Sequence, residues 1–271
     1  MIRKLIYNLR NSKQYNGTFI EKVSIFFSLT RIQIKSKLFK KKNAVVSESF
    51  INYKIFGYNY STIDYLFNEV FISNEYYFQP QTKEPLIIDC GANIGMSVLY
   101  FKKSFPDSKI IAFEANPHAF KLLSYNMKIN NILNVEVHNI ALFDKETEIS
   151  FYFGDNGDLV GSIKKERGGV NELKIKTQKL SYYLKNIETV DLIKMDVEGA
   201  ELYIISDLFE SASINKAKEY ILEYHHNMNE DKSILSSFLQ KFELNGFNYN
   251  IKADFSTINS FQNLLIHFYK K

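Results

Sequence analysis

The chain has 271 residues, 45% of them hydrophobic, with a net charge of +4. That is enough for one substantial core with an appended segment, and it excludes a disordered or fibrous chain. A single cysteine, Cys90, excludes an internal disulfide and a sulfur-rich zinc site of the usual kind, and fits a reducing, cytoplasmic setting.

The charge is unevenly placed. Residues 1–42 hold eleven Lys or Arg against one acid, Glu21, whereas the remainder holds 23 basic and 29 acidic residues. Basicity is therefore a property of the N-terminal segment, and no nucleic-acid partner is expected. Ile2, Leu5, Ile6 and Leu9 recur at helical spacing, and Ile20, Val23 and Phe27 continue it, which predicts basic amphipathic helices. The longest apolar stretch, "FIEKVSIFFSL", is interrupted by Glu21 and Lys22 and falls short of the roughly 20 residues of a membrane span. No apolar run ends in a small-residue cleavage site. Two readings follow: a helical cap packed on the main domain, or a peripheral contact with anionic lipid or an acidic glycan carrier. "PQTKEP" marks a junction, giving a basic, largely helical extension over 1–84 and a main domain over 85–271.

From residue 86 short apolar runs alternate with helical patterns. "LIIDC" precedes a helix through "SVLYFKKSF", and "KIIAFE" precedes one through "AFKLLSYNMKIN". "VEVHNIAL" and "VDLIKM" follow, then a helix through "ELYIISDLFE" and the run "EYILEYHH". The pattern predicts an α/β fold, a doubly wound, mostly parallel sheet covered on both faces. Alternating residues around "GDNGD" predict a β-hairpin insertion over about 144–178. "FNYNIKADFST" and "QNLLIHFYKK" are joined too closely for a crossover helix and predict a terminal antiparallel hairpin.

In open α/β sheets ligands bind beyond the carboxyl ends of the strands. "LIIDCGANIGMSVLYF" runs from a strand through Asp89, Gly91 and Gly95 into a helix whose free N–H groups favour negative charge. It lacks the third glycine of a dinucleotide fingerprint and the G-K-[ST] of a phosphate loop. A carboxylate at Asp89 would repel pyrophosphate but suits a ligand with a cationic centre and one small carboxylate, as in S-adenosylmethionine. The second strand ends in Glu114, placed to accept both hydrogen bonds of an unsubstituted ribose diol.

The stretches "IIDCGANIGMS", "FEANP", "NIAL", "KTQKL" and "DLIKMDVEGAE" resemble the FkbM family of S-adenosylmethionine-dependent methyltransferases, from about residue 65 to about residue 250. The resemblance implies a Rossmann-like class I methyltransferase fold. It implies donor contacts from Asp89, Gly91, Ala92, Asn93, Gly95, Glu114, Ala115, Asn116, Ala141 and Asp196. It also implies that "DLIKMDVEGAE" faces the reaction centre.

Asp196 is then expected beside the donor or acceptor, Glu198 as an orienting group or base, and Glu201 as a complement to a helix dipole. The next strand ends in Glu223, His225 and His226; alternation puts the first two on one side, and His225 is the expected catalytic histidine. The expected activity is O-methylation of a hydroxyl on a sugar, glycan, glycolipid or related metabolite, with no metal required. The alternatives are a Mg²⁺-assisted reaction with Asp196, Glu223 and Asn227 as oxygen ligands, a non-catalytic adenosine-ligand-binding module docked by its basic N-terminus, and a nicotinamide-dependent sugar enzyme.

Overall fold

A computed structural model describes residues 2–39, 45–154, 161–227, 234–253 and 261–270, with side chains from residue 5 onward. The basic run 40–42, the side chain of Ile2 and most of the predicted "GDNGD" turn lie outside the described residues.

Two helices, α1 (Ile2–Gln14) and α2 (Phe19–Leu38), open the chain. A capping box starts α2: the Thr18 side chain accepts from the Glu21 N–H, and the Glu21 carboxylate accepts from the Thr18 N–H at 2.8 Å. An antiparallel ribbon of β1 (Val46–Phe50) and β2 (Tyr53–Gly57) follows, so the extension is not helical throughout. Then come α3 (Tyr60–Phe67) and a π turn at Asn68–Ile72.

The main sheet begins with β3 (Leu86–Cys90), α4 (Met96–Ser104), β4 (Lys109–Phe113), α5 (Pro117–Ile129) and β5 (Val135–His138). Asn116 caps α5 ahead of a proline at its first position, a combination that fixes the helix start. The run expected as one strand through "VEVHNIAL" is broken, because Asn139 turns its amide onto the carbonyls of Glu114 and Ala115. Its end becomes β6 (Ala141–Leu142), which joins a second, four-stranded sheet with β7 (Glu148–Phe153), β8 (Gly161–Ser162) and β9 (Asn171–Gln178). β7 and β9 pair antiparallel from Glu148 opposite Lys176 to Phe153 opposite Asn171, the predicted insertion; α6 (Lys165–Gly168) lies between them.

After α7 (Leu180–Tyr183), the chain re-enters the main sheet as β10 (Val190–Met195), followed by α8 (Glu201–Glu210) and β11 (Ala217–His226). It closes with α9 (Leu235–Glu243), β12 (Asn248–Ala253) and β13 (Gln262–Tyr269). The seven strands lie in the order β12-β13-β11-β10-β3-β4-β5; β13 pairs antiparallel with both neighbours, and the other pairings are parallel. This is the predicted doubly wound, mostly parallel α/β sheet with its terminal antiparallel hairpin.

Strand alternation divides the core in two. Ile87, Ile110, Leu192 and Ile221 face a layer of α4, α5 and the N-terminal segment, where Ile25, Leu29 and Ile32 of α2 join the same core. Ile88, Phe113, Ile193 and Leu222 face α8 and α9.

Candidate functional site

From β3 the chain builds the sheet outward through β4 and β5, then crosses to the other side of β3 with β10. The carboxyl ends of β3 and β10 are therefore the topological switch point, where open α/β sheets bind ligands. A cleft opens there. Gly91, Asn93, Glu114 and Asp196 form its polar side; Ile140, Leu142, Phe151 and Ile163 form its apolar side.

The loop after β3 is shaped by contact with the loop after β10. Gly91 has φ +85°, and a Cβ on it would lie 1.7 Å from the Asp196 carbonyl oxygen, so only glycine fits. Glu114 braces the same loop: its Oε2 accepts from the Asn93 N–H at 2.8 Å and its Oε1 from the Asn116 N–H at 2.7 Å. Burial pushes the Glu114 carboxyl up to about 7, against the pull of those two N–H groups.

Several residues expected to touch the donor do other work. Asp89 is fully buried and does not line the cavity. It shares its strand face with Ile87, so it points into the layer under α4, where Ser97 Oγ donates to it and Lys194 Nζ lies 3.1 Å away. Ala92 is also buried away from the cavity. Gly95 leaves room for α5, since a Cβ there would lie 2.8 Å from both Leu123 and Met127 side-chain atoms. Asn116 acts through its backbone and as a helix cap. Gly91, Asn93, Glu114, Ala115, Ala141 and Asp196 do line the cavity.

At the end of β10, burial alone would lower the Lys194 ammonium, but Asp89 and Asp196 hold it above its ordinary value. Its Nζ donates to the Gly91 carbonyl at 2.7 Å, tying the two loops together. Burial pushes Asp196 up to about 6 despite Lys194, and its Oδ1 is buried without a hydrogen-bond partner among the described residues. Glu198 lies in the turn before α8 with φ +50°, followed by Gly199 at +106°. There it meets Arg167 Nε at 2.7 Å and His225 Nε2 at 3.0 Å, and although burial opposes it, these two partners hold its carboxyl below the usual range.

His225 is not a free base. Its ring is clamped between Glu201 Oε1, 2.6 Å from Nδ1, and Glu198, whose contact with Nε2 is ionic and not an aligned hydrogen bond. Burial disfavours the imidazolium, yet these carboxylates raise its pKa well above the ordinary value. Glu201 also accepts from the Gly199 N–H at 3.0 Å, which makes it the positioning residue of this turn.

A second cavity, of about 310 Å³, shares Asn93, Asp196 and Glu198 with the first. Its remaining wall comes from Ser61, Thr62, Tyr65 and Glu69 on one side and Arg167, Glu223 and Asn263 on the other. Burial pushes Glu69 up to about 7 and Glu223 up to about 9, with Asp196 adding to both, so Glu223 is protonated at neutral pH. Among the described residues, Asp196, Glu198 and His225 bring potential metal-ligand atoms within 4.8 Å of one another.

Residues 89–249 match the model of the Methyltransferase FkbM domain. The chain belongs to the FkbM methyltransferase family. It is 29% identical over 167 residues to Methyltransferase 1 of Beauveria bassiana, covering 54% of this chain and 67% of that one. It is 30% identical over 178 residues to Methyltransferase sdnD of Sordaria araneosa, covering 54% and 69%. It is 28% identical over 141 residues to the 2-O-methyltransferase NoeI of Sinorhizobium fredii, covering 45% and 57%. As an FkbM methyltransferase it is S-adenosylmethionine-dependent, and the lining of the first cavity suits that donor in chemical character. An apolar side meets a polar side on which Asn93 Oδ1 and Asp196 Oδ1 are buried acceptors without a partner among the described residues, as a cationic ligand requires.

Sequence reading missed Lys194, Arg167 and Glu69. Lys194 had a signal, a cation in the middle of a strand whose six positions are all buried. Arg167 and Phe151 reach the site only because the insertion folds over it, and Glu69 only because the segment before the first sheet strand forms a wall.

Proposed function

We propose that this FkbM methyltransferase is an O-methyltransferase that binds its donor in the first cavity and a neutral, hydroxyl-rich acceptor, such as a sugar of a glycan or glycolipid, in the second. The observation that carries this reading is that the two cavities share one wall, formed by Asn93, Asp196 and Glu198. Bound S-adenosylmethionine supplies an electrophilic methyl group. The chain's own tasks are to hold the acceptor oxygen in line and to take its proton. Orientation is the larger contribution, on the order of 7–11 kcal/mol, whereas a base adds about 10²–10⁴-fold.

Asp196 is the base in this reading. Its pKa of about 6 leaves it ionised near neutrality, and its buried Oδ1 is unpartnered among the described residues. Glu198, tied to Arg167 and His225, is too weak a base and orients instead. The acceptor cavity combines Glu223, which accepts from the Asn263 amide, with the Tyr65 hydroxyl, which donates to Glu69, and the Ser61 hydroxyl, a set holding both donors and acceptors. A sugar ring demands that mixture. The name of NoeI, a 2-O-methyltransferase, supports an oxygen acceptor.

The test is calorimetry and turnover on a panel of neutral glycosides with labelled donor. Asp196→Asn should lose at least about 10²-fold in single-turnover rate at saturating donor, a loss that weaker donor binding does not account for. Methyl groups recovered on nitrogen or sulfur, or thermal protection by NAD in place of S-adenosylmethionine, would overturn the reading. A Mg²⁺-assisted reaction is the second reading, favoured by the proximity of Asp196, Glu198 and His225. Against it, two of those three groups already neutralise one another. Turnover abolished by EDTA and restored by Mg²⁺ would establish it.

A further inference from the structure

The α2 helix is apolar on two opposite faces. Ile25, Leu29 and Ile32 are fully buried in the core under the main sheet. The other face carries Phe19, Ile20, Val23, Phe27, Ile34 and Leu38, all exposed, with Phe19 and Ile20 each 80% exposed. At about 100° per residue these six fall within a single arc of about 100°, a stripe along a helix of roughly 30 Å. A globular helix buries one such stripe and turns a polar face to water, so the second stripe needs a partner. The stripe is held in order at its start: the capping box fixes Phe19 and Ile20, and Glu21 pairs with Lys103 of α4 at 2.6 Å.

The surroundings indicate which partner. Arg10 and Lys13 of α1 and Lys37 of α2 are exposed around the hairpin, while Arg31 is paired with Glu48, and the sequence adds Lys40, Lys41 and Lys42 immediately after α2. Residues 1–42 contain one acid, Glu21, while the rest of the chain is net acidic. An anionic surface would attract this end and repel the remainder, which sets an orientation. A second copy of the chain packed on the stripe would instead bring two basic hairpins together.

We propose that the exposed stripe of α2, flanked by these lysines and Arg10, is a docking surface for an anionic lipid bilayer. Phe19, Ile20 and Phe27 enter the interface while the basic side chains meet the headgroups, as in a monotopic amphipathic helix. Among the described residues no helix is long and apolar enough to cross a membrane, so the contact is peripheral. The hairpin also contributes Tyr7 to a groove that shares Tyr65, Glu69, Glu223 and Asn263 with the acceptor cavity. On the acceptor reading proposed above, a lipid-anchored glycan is the acceptor that docking would present.

The experiment is flotation of the full chain with vesicles of phosphatidylcholine plus phosphatidylglycerol, against phosphatidylcholine alone. The chain should float with the anionic vesicles and be released by high salt. The variant Phe19→Ser/Ile20→Ser/Phe27→Ser should lose at least roughly tenfold in bound fraction with its thermal stability and donor-induced thermal shift unchanged, as should Lys13→Glu/Lys37→Glu. Equal flotation of the wild type and the serine variant overturns the proposal. So does a soluble dimer that the serine variant dissolves, which would make a second copy the occupant. The donor-induced shift is read separately, so a failed methyltransferase reading and a failed docking surface are distinguishable.

Discussion

Replacing Lys194 with methionine removes the cation that joins the two strand ends while conserving most of the side-chain volume. The Lys194 and Asp89 side chains are 2% and 0% exposed and 3.1 Å apart, so the variant strands a buried carboxylate. Breaking such a pair typically costs about 3–5 kcal/mol, most of it the desolvated charge left behind. In a chain of 271 residues this corresponds to a fall in Tm of about 5–10 °C. The Gly91 carbonyl loses its 2.7 Å donor as well, so donor affinity should fall with stability. Adding Asp89→Asn removes the stranded charge, and the double variant should regain at least about 1 kcal/mol relative to the sum of the single effects. Urea unfolding of the four proteins, with calorimetry of donor binding, measures both. Single effects that add within about 0.5 kcal/mol would refute the pairing, as would a Lys194→Met protein as stable as the wild type.

Glu114→Ala removes the acceptor for two buried N–H groups and should weaken donor binding by at least about 10²-fold by calorimetry, at about 1.5–3 kcal/mol per charged hydrogen bond. Glu198→Gln should leave donor binding within about threefold and depress turnover, because Glu198 holds Arg167 and His225 while, in the proposed mechanism, Asp196 takes the proton. The pH dependence of stability has a definite sign: burial raises Glu223 to about 9 from 4.5, so over that window the native state keeps a proton the unfolded chain has released. Stability therefore falls as pH rises, and Glu223→Gln should flatten the slope in urea titrations between about pH 6 and 9. Gly91→Ala should give little folded protein, since the new Cβ would overlap the Asp196 carbonyl oxygen.

The sheet was legible because fully buried parallel strands must be continuous apolar runs, and "LIIDC", "VDLIKM" and "EYILEYHH" fall on β3, β10 and β11 within a residue or two. The site was legible where backbone position decides it: Gly91, Asn93, Glu114 and Asp196 lie at strand ends whatever their side chains do. It was illegible where strand parity and tertiary pairing decide. Asp89 precedes the same glycine, but parity turns it into the layer under α4, where Lys194 meets it from the neighbouring strand. His225 reads as a base in sequence. Only the fold shows two carboxylates, from the turn before α8 and from α8 itself, closing on its ring.

The acids of "DVEGAE" are thus not equivalent, and their differences explain why so many carboxylates share one rim. Glu201 and Glu198 neutralise His225 and Arg167, so four of the charged groups cancel in pairs and fix the positive-φ turn at residues 198–199. Glu223, desolvated beside Asp196, keeps its proton and behaves as a neutral donor. Asp196, at the wall shared by the two cavities, keeps a buried oxygen unsatisfied among the described residues, as do Asp89 and Asp144, which do not line that wall. The ion pairs that stabilise the turn therefore leave Asp196 outside them, and it is on this pattern that the proposed role of Asp196 as base rests.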